Sequence, residues 1–135
     1  MLKNIRVADY MQKGELAVTP EMDTGHVVDF LIAHQLTGCP VVDINHQLVG
    51  FISEHDCIRS LTSSSYYGDD SEPVSSLMSS EVLSVSPDDS IFELAQRMQQ
   101  QKPKTYPVVE AGQLVGVITR HDVLKAIAQT VFKAK

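Results

Sequence analysis

The chain carries the same pattern twice, which constrains its fold more than any single motif does. Val7-Ala8-Asp9-Tyr10-Met11 aligns with Val74-Ser75-Ser76-Leu77-Met78 at an offset of 67 residues. Thr19-Pro20 aligns with Ser86-Pro87, and Pro40-Val41-Val42-Asp43 with Pro107-Val108-Val109-Glu110, at the same offset of 67. One residue is then lost, and Gln47–Asp56 aligns with Gln113–Asp122 at 66. A register held this long, with its one gap in a turn, marks two copies of one folding unit.

Each copy reads alike. A short strand around Leu16–Thr19, and around Val82–Ser86 in the second copy, runs into a proline. A helix follows, with Val27, Val28, Leu31 and Ile32 on one face in the first copy and Ile91, Leu94, Ala95 and Met98 in the second. Ser90-Ile91-Phe92-Glu93 is a capping box; Thr24 is the expected cap of the first helix, without the glutamate. Two nearly continuous apolar strands come next, Pro40–Asp43 and Leu48–Ser53 around a turn at Ile44-Asn45-His46. Their counterparts are Pro107–Glu110 and Leu114–Thr119 around Ala111-Gly112. Strands apolar on both faces predict a sheet covered by helices. A helix closes each copy, at about His55–Leu61 and His121–Phe132. The expected fold is therefore a mixed α/β (α+β) one, two β-α-β-β-α units related by a pseudo-two-fold axis. The first repeat spans 1–61, a polar linker holding Tyr66 and Tyr67 spans 62–73, and the second repeat spans 74–135. Clefts between such packed units are where small ligands bind.

With 43% hydrophobic and 21% charged residues, the chain has the balance of a folded domain rather than a disordered one. Its net charge of −6 disfavours non-specific binding to nucleic acid or to an anionic membrane. No run approaches the roughly 18 apolar residues of a membrane span, and Met1-Leu2-Lys3-Asn4-Ile5-Arg6 opens no signal peptide. A cytoplasmic location is expected. The two cysteines, Cys39 and Cys57, sit in apolar runs and read as reduced, buried thiols. Met11, Met22, Met78 and Met98 read as core or helix-face residues. The five histidines form no His-x-x-x-His pair, and no Cys-x-x-Cys exists, so neither a metal site nor a cofactor is expected. No nucleophile–base–acid order or phosphate-cradling glycine loop can be named, which argues against an enzyme.

The functional signal lies where each last strand meets its helix: Ser53-Glu54-His55-Asp56 and Thr119-Arg120-His121-Asp122. Ser/Thr-x-x-Asp at such a junction is a helix cap, with hydroxyl and carboxylate satisfying the first free N–H groups. The same carboxylate can accept both hydroxyls of a ribose, while the helix start and a nearby hydroxyl suit a phosphate. The two uses can coexist.

The tandem units, the Gly-x-Pro-Val-Val and Tyr-Pro-Val-Val strands, the Leu-Val-Gly strands and the two Ser/Thr-x-x-Asp endings together resemble a pair of cystathionine β-synthase (CBS) domains, over about residues 7–61 and 74–131. The resemblance implies a regulatory module that binds adenosine-containing ligands (AMP, ADP, ATP or S-adenosylmethionine), pairs into a disc-like homodimer and modulates an unknown partner protein. Carried over residue by residue, Asp122 holds the ribose, and Thr119, Arg120, His121 and Lys104 lie near phosphate. Adenine rests against Val18, Thr19, Leu36, Thr37 and Gly38. In the pseudo-symmetric cleft Asp56 holds ribose beside Ser53 and His55, and adenine meets Val85, Ser86, Pro103 and Lys104. Arg120 stands where the first copy has Glu54, so the Asp122 cleft is expected to bind nucleotide more tightly. The competing expectation is a ligand-free dimeric scaffold, in which the caps only cap.

Overall fold

The computed structural model describes residues 4–14, 16–63, 72–100 and 103–133; Tyr66 and Tyr67 lie outside them. In chain order the elements are a 3-10 turn at Val7–Asp9, β1 (Gln12–Lys13), α1 (Thr24–Ala33), β2 (Gly38–Val42), β3 (Leu48–Ser53) and α2 (Glu54–Leu61). They continue with α3 (Val74–Leu77), α4 (Ile91–Gln100), β4 (Thr105–Glu110), β5 (Gln113–Thr119) and α5 (Arg120–Lys133). Each repeat thus supplies the expected helix, strand pair and closing helix.

The chain packs as two compact units, one made of Leu16–Val82, the other of Met1–Glu15 with Leu83–Lys135. The packing units cut across the repeats, because the segment that leads each repeat is spent in the unit of the other. Val7 is fully buried in a cluster with Val85, Ile91, Leu94, Tyr106, Val108 and Ile118. Its backbone N–H donates to the Asp89 carbonyl at 2.9 Å. Val74, its counterpart, is fully buried with Val18, Val27, Leu31, Val41 and Ile52. Met11 and Met98 pack on the first cluster and Met22 and Met78 on the second.

In the Leu16–Val82 unit β2 is buried along its whole length and pairs antiparallel with β3. In the other unit β5 lies between β4 and β1. The bulge between Val41 and Val42 recurs between Val108 and Val109. Two expected strands shrink to single parallel bridges, Val18 to Val41 and Val85 to Val108. Val18 donates to the Pro40 carbonyl and accepts from the Val42 N–H, and Val85 does the same with Pro107 and Val109. Pro20 and Pro87 follow two residues later and have no N–H to extend the ladder. β1 is a strand the alternation did not predict, since two residues carry no period.

Thr24 is not the cap of α1. Asp23 is, its carboxylate accepting from the His26 N–H at 2.9 Å. That bond and the His26 ring together hold the Asp23 carboxyl below its ordinary range. Thr24 lies one residue inside the helix, fully buried, and its hydroxyl donates to the Glu72 carbonyl at 2.8 Å. Buried, the hydroxyl needs a partner of its own, whereas Asp23 stays at the surface with an ionised acceptor. Val27 and Leu31 are buried as expected, but Ile32 is 70% exposed. On α4, Ser90 Oγ accepts from the Glu93 N–H at 3.3 Å. Cys39 and Cys57 are free and buried. Burial, with Cys57 a smaller cause, pushes the Cys39 thiol up to about 12, and burial raises that of Cys57.

The residue lost between repeats falls in the strand turns. Asp43 Oδ1 accepts from the Asn45 and Gln47 N–H groups and closes the longer one. In the shorter, Ala111 and Gly112 both take positive φ, 54° and 80°, as a two-residue hairpin turn of type I′ demands.

Candidate functional site

Both Ser/Thr-x-x-Asp endings are complete capping boxes. Ser53 Oγ accepts from the Asp56 N–H at 3.1 Å, and Asp56 Oδ2 accepts from the Ser53 N–H at 2.9 Å. Thr119 Oγ1 accepts from the Asp122 N–H at 3.1 Å, and Asp122 Oδ2 from the Thr119 N–H at 2.9 Å. The sequence forces this arrangement, because a strand that turns into a helix leaves its first N–H groups unpaired.

Beyond the box the two junctions differ. In the Leu16–Val82 unit, Ser53 also turns its hydroxyl onto Asp56 Oδ2 at 2.9 Å, and Arg59 Nη2 sits 3.1 Å from Oδ1. Both oxygens of Asp56 are therefore engaged. In the other unit the second donor to Asp122 Oδ2 is Gln12 Nε2, at 3.0 Å. Among the described residues nothing donates to Asp122 Oδ1, and Lys125, at the position of Arg59, makes no ion pair with it.

Each unit gathers part of the expected set. Around Asp56, Gly38 is the strand partner of Ser53, and the Thr37 carbonyl accepts from the Glu54 N–H at 2.9 Å. Around Asp122, Thr105 is the partner of Thr119, and the Lys104 carbonyl accepts from the Arg120 N–H at 2.9 Å. Lys104 and Thr37 are equivalent positions, as are Arg120 and Glu54, so the Asp122 junction has two cations where the other has a threonine and a glutamate. Arg120, His121 and Lys104 are exposed, as are Glu54, His55 and Thr37. Val18 and Val85 are buried in the bridges, with Thr19 exposed and Ser86 half-buried just after them. Leu36 and Pro103 are half-buried at the approach to β2 and β4. One N–H at each helix start already goes to Thr37 or Lys104, so an incoming anion meets mainly side chains.

The Leu16–Val82 unit also has an open apolar groove of about 350 Å³ between α1 and α2, lined among others by Val28, Leu31, Ile32, Leu36, Cys57 and Ile58. Among the described residues no group of three or more His, Cys, Asp or Glu side chains could hold a metal ion. Nor is any described helix long and apolar enough to cross a membrane.

Gln12 and Arg59 are the contacts sequence reasoning missed. Gln12 lies 110 residues from Asp122, directly after the repeated Val7–Met11 segment, where the other copy has Ser79. The place where the repeats stop matching was the available signal.

The CBS domain profile matches residues 7–63 and 74–129, and the chain belongs to the CBS-domain family, as a tandem pair. The CBS-pair protein CBSX2 of Arabidopsis thaliana is 29% identical, with a TM-score of 0.83 over 96% of this chain and 98% of that one. A second CBSX2 structure, in complex with AMP, is 29% identical and superposes with a TM-score of 0.79 over 93% and 98%. An uncharacterized protein of Methanocaldococcus jannaschii is 26% identical over 124 residues, which are 92% of this chain and 43% of that protein. The inosine-5'-monophosphate dehydrogenase of the same organism is 26% identical over 114 residues, 84% of this chain and 22% of the enzyme. This chain thus spans less than half the length of these two relatives.

Proposed function

We propose that this CBS pair is a regulatory sensor of adenosine-containing nucleotides rather than an enzyme. In this reading Asp122 takes the ribose hydroxyls, and Thr119, Arg120, His121 and Lys104 take the phosphate. Asp56, with Ser53 and His55, is the weaker counterpart, and the strand-leading residues around Leu36–Gly38 and Pro103–Lys104 serve the purine. The observation that carries the reading is the Asp122 carboxylate, held in place by its capping box, with no donor to Oδ1 among the described residues, at a junction with the exposed cations Lys104 and Arg120. Capping and ligand binding are compatible there, because the cap uses only one carboxylate oxygen. The AMP complex of CBSX2 supports the ligand class. Occupancy biases one arrangement of the chain and so its contacts with a partner protein.

The test is thermal unfolding and titration calorimetry of wild type, Asp122→Ala and Asp56→Ala with AMP, ADP, ATP and S-adenosylmethionine. At a hundred times its dissociation constant a ligand adds about 2.7 kcal/mol of stability, a rise of several degrees. Asp122→Ala should abolish most of that rise and Asp56→Ala little of it. Equal losses would overturn the asymmetry. No rise with any nucleotide would overturn the sensing reading in favour of a scaffold, for which the exposed apolar groove between α1 and α2 is the supporting observation.

A further inference from the structure

The two junctions solve the same bonding problem with different donors, and the difference bears on the ligand. In both, one aspartate oxygen accepts two hydrogen bonds, the first from the backbone N–H of its own Ser or Thr. At Asp56 the second comes from the Ser53 hydroxyl. At Asp122 it comes from Gln12, on the edge strand β1. A carboxylate oxygen has two lone pairs, so with Gln12 in place the second is taken and the Thr119 hydroxyl proton is not needed there. Thr119 makes no bond to Asp122 corresponding to the one Ser53 makes to Asp56. The Leu16–Val82 unit cannot copy the device. Ser79, which pairs with Phe51 as Gln12 pairs with Val117, is short, and its hydroxyl donates to the Glu81 carbonyl at 3.2 Å.

We propose that Gln12 is a positioning residue for the nucleotide site. By filling the second lone pair of Asp122 Oδ2, it leaves the Thr119 hydroxyl free to donate to the ligand's phosphate. The N-terminal edge strand is thereby part of the site, although it belongs to neither Ser/Thr-x-x-Asp motif. The inference rests on the nucleotide reading given above and adds to it a residue and a direction. Without the amide, the Thr119 hydroxyl should turn onto Asp122, as Ser53 does onto Asp56, and be lost to the phosphate.

Calorimetric titration with AMP and with adenosine, which lacks the phosphate, tests this on wild type, Gln12→Leu, Gln12→Glu and Asp122→Ala. Gln12→Leu keeps the bulk without the donor. It should weaken AMP roughly three- to tenfold, about one hydrogen bond's worth, and leave adenosine unchanged. Gln12→Glu removes the same donor and sets a carboxylate against Asp122, so it should weaken AMP at least as much. A merely structural role for Gln12 would weaken both ligands alike, and that outcome overturns the proposal. So does a Gln12→Leu protein with the wild-type ratio of AMP to adenosine affinity, provided that wild type binds AMP and Asp122→Ala does not. If wild type binds no AMP, or Asp122→Ala binds it undiminished, the nucleotide reading itself has failed and this inference falls with it.

Discussion

Buried on α2 at 5% exposure, the Ser60 hydroxyl has no hydrogen-bond partner among the described residues. The second repeat has Ala126 at the equivalent position, fully buried in its core. An unsatisfied buried hydroxyl costs about 1–3 kcal/mol, and alanine is the better helix former. Ser60→Ala should therefore raise stability by about 1 kcal/mol, read from the urea midpoint at unchanged slope; a lower midpoint would show that the hydroxyl has a partner. The same sequence comparison explains which contacts could be read in advance. The capping boxes were legible because donor and acceptor stand three residues apart. Thr24 was misjudged because Asp23, an equally good cap, precedes it, and only burial decides between them. Gln12 on Asp122 depends on a fold-level contact that no local pattern encodes.

Gly50 and Gly116 sit at equivalent points of β3 and β5, where the leading segment of the other repeat crosses. A Cβ on Gly116 would lie 2.5 Å from the Gln12 carbonyl oxygen, which is backbone. On Gly50 it would lie 2.5 Å from Met78 Sδ, a flexible side chain, and 3.0 Å from the Ser79 carbonyl oxygen. Gly116→Ala should thus cost about 1–3 kcal/mol and displace β1, with Gly50→Ala the milder change because the thioether can move. Equal losses in chemical denaturation would count against that ranking. The glycines stood out in the repeated Leu-Val-Gly, but the reason for them was not visible, since β1 is too short to announce itself. Helices were legible from their period, and the long strands from their nearly unbroken apolar runs. The strands expected around Leu16–Thr19 and Val82–Ser86 were not realised beyond one bridge each, because a proline cuts each ladder short.

Each unit leaves large apolar side chains exposed: Ile32, Ile58 and Leu61 on one, and Leu124 and Val131 on the other. Ile58 and Leu124 are equivalent positions, 57% and 64% exposed. Apolar faces of this kind mark interaction surfaces, and a second copy of the chain is the occupant we propose. Sedimentation equilibrium should give twice the chain mass for wild type and the single mass for Ile58→Lys/Leu124→Lys; the same mass for both would dismiss the dimer. The repeats themselves were plain in the sequence, whereas the exchange of their leading segments was not, because repetition shows what is copied and not where each copy packs. That exchange also orders events during synthesis. The Leu16–Val82 unit is one continuous stretch and has every residue of its core once Val82 has been made. The other unit joins Met1–Glu15 to Leu83–Lys135, so Val7 waits for the Asp89 carbonyl and β1 waits for β5. A ribosome delivers the chain from its N-terminus, so the segment made early docks late. Messages broken off after Val82 would hold every residue of one unit's core and only the first segment of the other's, while Asp122 and its Gln12 amide meet only in chains translated past Asp122.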